Sequence, residues 1–371
     1  MLRSGGGKTR GRVSCPFAKA RHRREAAERP PALRAGSLSA AGPDESDTRF
    51  ARAMNSPPLL VSFYGLEQYL TALPIAARTE FESQIRRLVE MGLPPVVSAR
   101  CLGVLFGFSG EIIGAMMRRT MRYYRHFVIP KGRGKRHIYA PRVALKVIQK
   151  WFGYHLASAI EFDPCVHGFV KGRSAVQAAM KHCAATWVFS ADIKDFFPST
   201  LKAIVESALE SLGYPQHGAK LMTALCCYGD GLAQGSPASP VLSNLVFRQA
   251  DKELIQLACD FGARYTRYAD DIVFSGTAEV PAQLDVKIRQ IIECHGWKIA
   301  PKKQWLARLP NRLRVHGLLV HGEVPRLTKG YRNRIRAFKH MLAAGRVSDK
   351  DIQKIKGHLA YAKSVDAFNH G

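Results

Sequence analysis

The chain has 371 residues, 46% of them hydrophobic, enough for a substantial core in one large domain or two to three lobes. Its 56 Lys and Arg against 29 Asp and Glu leave a net charge of +27 and a pI near 10.1, the electrostatic footprint of a polyanion binder. The sequence contains no 18-residue apolar run and no basic amphipathic stretch with a bulky apolar face, so a membrane partner is not expected and nucleic acid is.

Residues 1–57 are rich in Arg, Ala, Gly, Ser and Pro and lack periodicity, and are read as a disordered basic N-terminal extension. They lack the apolar core of a secretory signal and the amphipathic face of a transit peptide. Up to Arg52 the extension holds 12 basic and five acidic residues, +7 of the total, so the remainder still carries +20. Met54 stands where foldable sequence begins and is the expected native start. The eight cysteines show no C-x-x-C spacing and are expected as reduced, mostly buried thiols of a cytoplasmic protein.

From 59 to 124 the apolar residues recur three and four apart, as in EFESQIRRLVEMG and SARCLGVLFGFSGEIIGAMMRR, which predicts helices. YRHFVIPKGRGKRHIYAP then reads as two short strands about a basic turn carrying Lys131, Arg133, Lys135 and Arg136, followed by a helix to Phe152. A charge cluster of this kind is either a solvated face or a clamp for phosphates, and the clamp is favoured.

VHGFVKGRSAVQAAMKH is a glycine-punctuated basic turn leading into a helix, and WVFSADIKDFFPS a buried strand ending in Asp192. Ser199 or Thr200 is the expected cap of the next helix, whose apolar positions run from Leu201 to Leu212. GLAQGSPASPVLSNLVF is a Gly/Pro/Ser loop running into a long helix that ends near Gly262. RYTRYADDIVFSG sets Asp270 and Asp271 between β-type runs, where unpaired acids are costly. A hairpin tip carrying two metal ligands resolves that conflict; taken alone, the dipeptide also reads as an ordinary solvent-exposed turn. A helix from 282 to 295 follows, and 326–366 reads as two or three short basic helices.

DIKDFF, QGSPASPVLSN, YADD and GWKIAPKK occur in this order, and on them the chain resembles reverse transcriptases from about Tyr124 to His321. With YRHFVIPKGRGKRHIYAP and HGFVKGRS it most resembles the bacterial retron enzymes. Two family signatures depart: N-A-x-x-H reads AAMKH, with Ala178 for Asn, and V-T-G reads VHG, with His316 for Thr.

The resemblance implies an α+β right-hand polymerase fold with fingers, a palm whose antiparallel sheet packs on helices, and a small helical thumb. Its segments are expected as N-terminal helices and fingers at 58–185, catalytic palm at 186–322 and thumb at 323–371. Asp192, Asp270 and Asp271 are the expected catalytic and metal-binding residues. Nucleotidyl transfer by the two-metal route needs carboxylates holding two Mg²⁺ ions, with Mn²⁺ able to substitute. Lys131 and Arg136 would grip the incoming deoxynucleoside triphosphate, Gln234 and Gly235 line its pocket, and Phe197 gate against the sugar 2′-hydroxyl; Asp195 is expected as a surface or supporting acid.

Arg173, His182, His316, Arg332, Arg336 and Lys339 are the expected RNA contacts, with the RNA held by the thumb and by the segments around His182 and His316. His167 and His182 read as packing or hydrogen-bonding residues rather than metal ligands, because no partner lies at ligand spacing. The partners implied are a structured non-coding RNA serving as template and primer, the RNA–DNA hybrid, and an effector or toxin protein of anti-phage defence. Two alternatives stay open: another bacterial reverse transcriptase, of group II intron or phage-defence type, and a catalytically idle RNA-binding protein of the same fold. The intact carboxylate set argues against the second.

Overall fold

The computed structural model describes residues 57–131 and 134–369, without the side chain of Lys131. The extension and Met54 lie outside them. The first described elements are helical, as the spacing predicts: α1 (Leu66–Ala72), α2 (Ile75–Glu90), α3 (Ala99–Phe106) and α4 (Gly110–Arg118). Ser98 and Ser109 cap α3 and α4 by accepting from Cys101 N and Ile112 N. Tyr69, Ile85, Leu102 and Ile113 are buried beneath them. Among the described residues no single helix is long and apolar enough to cross a membrane.

Strands β1 (Tyr124–Lys131) and β2 (Gly134–Pro141) form an antiparallel hairpin in register from Tyr124 opposite Pro141 to Lys131 opposite Gly134. Helix α5 (Val143–Ala159) and the short α6 (Ala175–Met180) follow. The central sheet is built from β3 (Trp187–Asp192), β6 (Arg264–Tyr268), β7 (Asp271–Gly276) and β8 (Trp305–Arg308), in the order β6-β7-β3-β8 and antiparallel throughout. Between β3 and β6 run α7 (Phe196–Ser199), α8 (Lys202–Ser211), α9 (Gln216–Cys226), the small ladder of β4 (Cys227–Tyr228) and β5 (Gly231–Leu232), and the long α10 (Ser239–Asp260). Helix α11 (Leu284–Cys294) lies between β7 and β8. This is an α+β architecture.

The expected capped helix at 199–212 starts later than its apolar pattern suggests. Leu201 is its N-cap residue and is half exposed, while Thr200 is fully buried. The Thr200 hydroxyl donates to Phe196 O and accepts from the Trp297 indole, so it closes the preceding turn rather than capping α8. Phe196, Phe247 and Trp297 form one aromatic cluster, with Phe247 and Trp297 centroids 4.7 Å apart; burial of such side chains stabilises by roughly 1.5–3 kcal/mol each. Pro240 lies in the first turn of α10, where its missing N–H costs nothing, and Gly262 at φ +60° ends the segment.

A second core forms at the C-terminal end. Strands β9 (Arg314–Val315), β10 (Leu318–Leu319) and β11 (Arg326–Leu327) make a small sheet, and α12 (Lys329–Ala343) and α13 (Asp349–Phe368) pack on it through Leu313, Val320, Ile335 and Val365. The Phe338 ring lies 5.4 Å from that of His358, whose Nδ1 is 2.9 Å from the Tyr331 hydroxyl. Cysteines 101, 165, 183, 226, 227 and 294 are free thiols, and all but Cys294 are buried.

Candidate active site

Three carboxylates meet at one end of the central sheet. Asp192 is the last residue of β3 and stands directly opposite Asp271, the first residue of β7. Asp270 lies in the turn between β6 and β7, and its carbonyl accepts from Ile193 N at 2.9 Å. Tyr268 and Asp271 are a paired position, so Ala269 and Asp270 form a two-residue hairpin loop with φ +58° at Ala269. That conformation is normally glycine's in such a turn.

Burial raises the affinity of Asp270 for its proton, and the neighbouring Asp192 and Asp271 charges add to the effect; the Asp270 backbone and Lys303 oppose it. Lys303 Nζ sits 2.5 Å from Asp192 Oδ1 and is the nearest counter-charge. Among the described residues no three His, Cys, Asp or Glu side chains are arranged as a self-sufficient metal cage. Mg²⁺ does not require one, because it is commonly held by one or two carboxylates together with substrate phosphates. Two facing aspartates with a third beside them offer carboxylate oxygens of the kind Mg²⁺ takes, and the residues fit it.

Asp270 opens into a cleft of about 570 Å³. One wall is the hairpin, through Lys135, Arg136, His137 and Tyr139; the other is the segment after β3, through Asp195, Phe196, Phe197 and Pro198. Gln234, Ala269, Asp270 and Lys303 complete it. The hairpin is tied to the Gln234 loop by Tyr139 N donating to Gln234 O at 2.8 Å. Gly235 has φ +129°, and a Cβ there would stand 2.9 Å from Tyr139 O, so only glycine lets the two segments close. The cleft thus brings together Arg136, Phe197, Gln234 and Asp270, with Gly235 behind them. Lys131 ends β1, and its side chain lies outside the described residues, as does Arg133.

Three expected RNA contacts are corrected. His182 is fully buried, with Nδ1 2.7 Å from Ser275 Oγ and Nε2 2.7 Å from Thr266 Oγ1; it joins α6 to the sheet and presents nothing to a ligand. The Arg173 guanidinium donates to the carbonyls of Phe162, Asp163 and Val166 at 2.5–2.9 Å, so it closes its own loop. The His316 side chain is only 7% exposed, with Nδ1 3.7 Å from Asp271 Oδ2 and its ring 5.1 Å from that of Tyr268. It belongs beside the carboxylates, so changing it also changes the surroundings of Asp271. Arg332, Arg336 and Lys339, by contrast, are exposed on α12, while Phe338 and Tyr361 pack between the C-terminal helices.

Sequence reasoning missed several cleft residues. Lys303, the last residue of GWKIAPKK, lines the cleft and was given no role from the sequence. Phe169 is 43% exposed, lies 5.9 Å from the Phe197 ring and lines the cleft at φ +63°. Gly168 presses on the turn between β6 and β7: a Cβ there would stand 2.1 Å from Ala269 N. Its carbonyl accepts from Asn244 of α10. A glycine directly before an exposed aromatic in HGF was the available signal.

Residues 129–318 match the family model described as reverse transcriptase, RNA-dependent DNA polymerase. The chain is 31% identical over 291 residues to the retron Ec86 reverse transcriptase of Escherichia coli, covering 76% of this chain and 89% of that protein. It is 32% identical over 289 residues to the retron Mx65 reverse transcriptase of Myxococcus xanthus, covering 72% and 67%. Against the retron Ec73 reverse transcriptase of Escherichia coli the identity is 30% over 285 residues, covering 70% and 87%.

Proposed function

The chain belongs to the reverse transcriptase family, among the retron enzymes, and is an RNA-directed DNA polymerase; on that premise we propose that it copies part of a cognate structured RNA into single-stranded DNA that stays covalently joined to the RNA. The observation that supports this reading most is the convergence of Asp192, Asp270 and Asp271 at one end of the central sheet, with Asp270 lining a cleft that Lys135 and Arg136 also line. Two Mg²⁺ ions held by these aspartates would steady the attacking hydroxyl and the leaving pyrophosphate.

The remaining roles fall to the chain's own side chains. Arg136 and Lys135 face the cleft and neutralise the triphosphate, where positioning and charge stabilisation supply most of phosphoryl transfer. Lys131 at the end of β1 is proposed as a further phosphate contact. Phe197 closes the side where the sugar would lie, and Gln234 and Gly235 shape the base side. Arg332, Arg336 and Lys339 on α12 hold the RNA–DNA duplex through phosphates, which positions it without reading sequence. The primer is an internal guanosine 2′-hydroxyl of the same RNA, and the biological role is anti-phage defence with an effector protein.

The test is to express the gene with its flanking DNA and analyse total nucleic acid. The reading predicts a DNA species whose mobility shifts after RNase and after a 2′,5′-debranching enzyme. Free DNA or none, from cells whose purified enzyme extends ordinary primers, would leave a general reverse transcriptase and remove the retron product.

A further inference from the structure

The turn that presents Asp270 and Asp271 is held from behind by a buried charge. Arg267, in β6, is 0% exposed and Asp251, in α10, 1%. Arg267 Nε donates to Asp251 Oδ1 at 2.8 Å and Nη2 to Oδ2 at 2.6 Å, a bidentate pair. Nη1 donates to Asn244 Oδ1 at 2.9 Å and to the carbonyl of Ala269 at 3.1 Å. The guanidinium lies 4.4 Å from the centre of the Phe247 ring, and the Tyr265 hydroxyl donates to Asp251 Oδ1 at 2.7 Å.

We propose that Arg267 is a positioning residue for polymerisation, clamping the Ala269 carbonyl so that the strained turn delivers Asp270 and Asp271 to the cleft at a fixed angle. The inference rests on reading those aspartates as catalytic. Two features argue that the pair does more than stabilise. A buried ion pair is poor at stabilising for its own sake, since apolar residues of similar volume often serve equally well. An apolar residue could not donate to Ala269, whose φ of +58° is a strained conformation for a non-glycine residue that persists only where its surroundings impose it.

The clamp also has a second jaw. Asn244 accepts from Arg267 and donates from Nδ2 to Gly168 O at 2.9 Å, and Gly168 abuts Ala269 from the other side. The backbone follows the same course, with Arg267 N donating to Cys165 O and His167 N to Arg267 O. Because Asp251 and Asn244 lie on the helix that continues the Gln234–Gly235 loop, the arrangement ties the nucleotide wall to the catalytic turn.

The test is single-nucleotide addition on an annealed RNA template by three purified full-length variants: Arg267→Met with Asp251→Leu, Arg267→Lys, and Asp270→Asn. The double variant removes both buried charges together and is expected to fold, melting below wild type because the Tyr265 hydroxyl and Asn244 Oδ1 lose their partners. Its kcat should fall on the order of 100-fold, as for a misplaced catalytic group, with the nucleotide KM and duplex affinity changed by less than about threefold. Arg267→Lys keeps a charge opposite Asp251, but one ammonium cannot span to the Ala269 carbonyl as well, so the same loss of kcat is expected even if the double variant fails to fold. If Asp270→Asn is silent and the folded Arg267 variants keep kcat within about threefold of wild type, the positioning role is overturned and the catalytic reading stands. If Asp270→Asn itself extends primers, the catalytic reading is overturned and the positioning role with it.

Discussion

Asp192 and Asp271 face each other across the β3–β7 ladder, the last residue of one strand opposite the first of the next. Like charges directly opposite in a sheet are destabilising. Here a third acid, Asp270, stands in the same field, and one lysine, Lys303, answers Asp192. An arrangement that raises the cost of the fold beside a cleft is what the proposed metal-binding role of these charges would account for.

The first prediction concerns stability. Burial and the Asp192 and Asp271 charges raise the folded-state pKa of Asp270 above its ordinary value. A group raised in this way favours the fold below its unfolded pKa, and that contribution is lost as pH rises through the folded value. Without divalent cation, Asp270→Asn should therefore melt higher than wild type near neutral pH. The difference should shrink towards pH 4, and thermal melts at the two pH values check it.

Phe197 and Phe169 flank the cleft. Phe197→Ala should raise ribonucleotide incorporation relative to deoxynucleotide at least tenfold, on the scale of the 1–3 kcal/mol that a pocket wall supplies. Paired kcat/KM values for the two nucleotide types measure this; unchanged selectivity would assign Phe197 to packing.

Gly168 has no room for a Cβ, because Ala269 N and the Tyr268 carbonyl carbon would lie 2.1 and 2.8 Å away. Gly168→Ala should displace the turn, lowering kcat on the order of 100-fold and costing about 1–3 kcal/mol of stability by overpacking. Gly330→Ala, where nothing lies within 4 Å, is the control and should leave extension unchanged.

His316→Ala should slow extension of a generic annealed primer, and not only selection of a particular RNA. Its Nδ1 lies 3.7 Å from the Asp271 carboxylate, and contacts of this kind couple by 0.5–3 kcal/mol, so a loss on the order of tenfold is expected. Steady-state rates on an unrelated primer and template measure it; a rate equal to wild type would return His316 to RNA recognition alone.

Much of this was legible in the sequence. The strand–acid–helix order at Asp192 and the hairpin at Asp270–Asp271 emerge as read, because β-type runs and turn residues are local signals. His182 was legible as a packing or hydrogen-bonding residue, but its partners were not: Ser275 and Thr266 on two adjacent strands face it, and their meeting is set by strand order. Nothing local distinguishes Arg267 from the other basic residues of a chain with net charge +27. Only the packing of α10 on β6 puts Asp251 within reach. Lys303 illustrates the same limit, since its pairing with Asp192 spans 111 residues.

The most direct measurement of the central claim is Mg²⁺-dependent extension of a DNA primer on an RNA template by purified wild-type, Asp192→Asn and Asp270→Asn proteins, with RNA–DNA duplex binding measured alongside. The account predicts extension by wild type, a loss on the order of 1,000-fold or more in both variants, and duplex affinity within about threefold, because each change removes charge at the site of nucleotidyl transfer and leaves the basic α12 surface alone. Extension by either variant at near the wild-type rate, with folding intact, would contradict it.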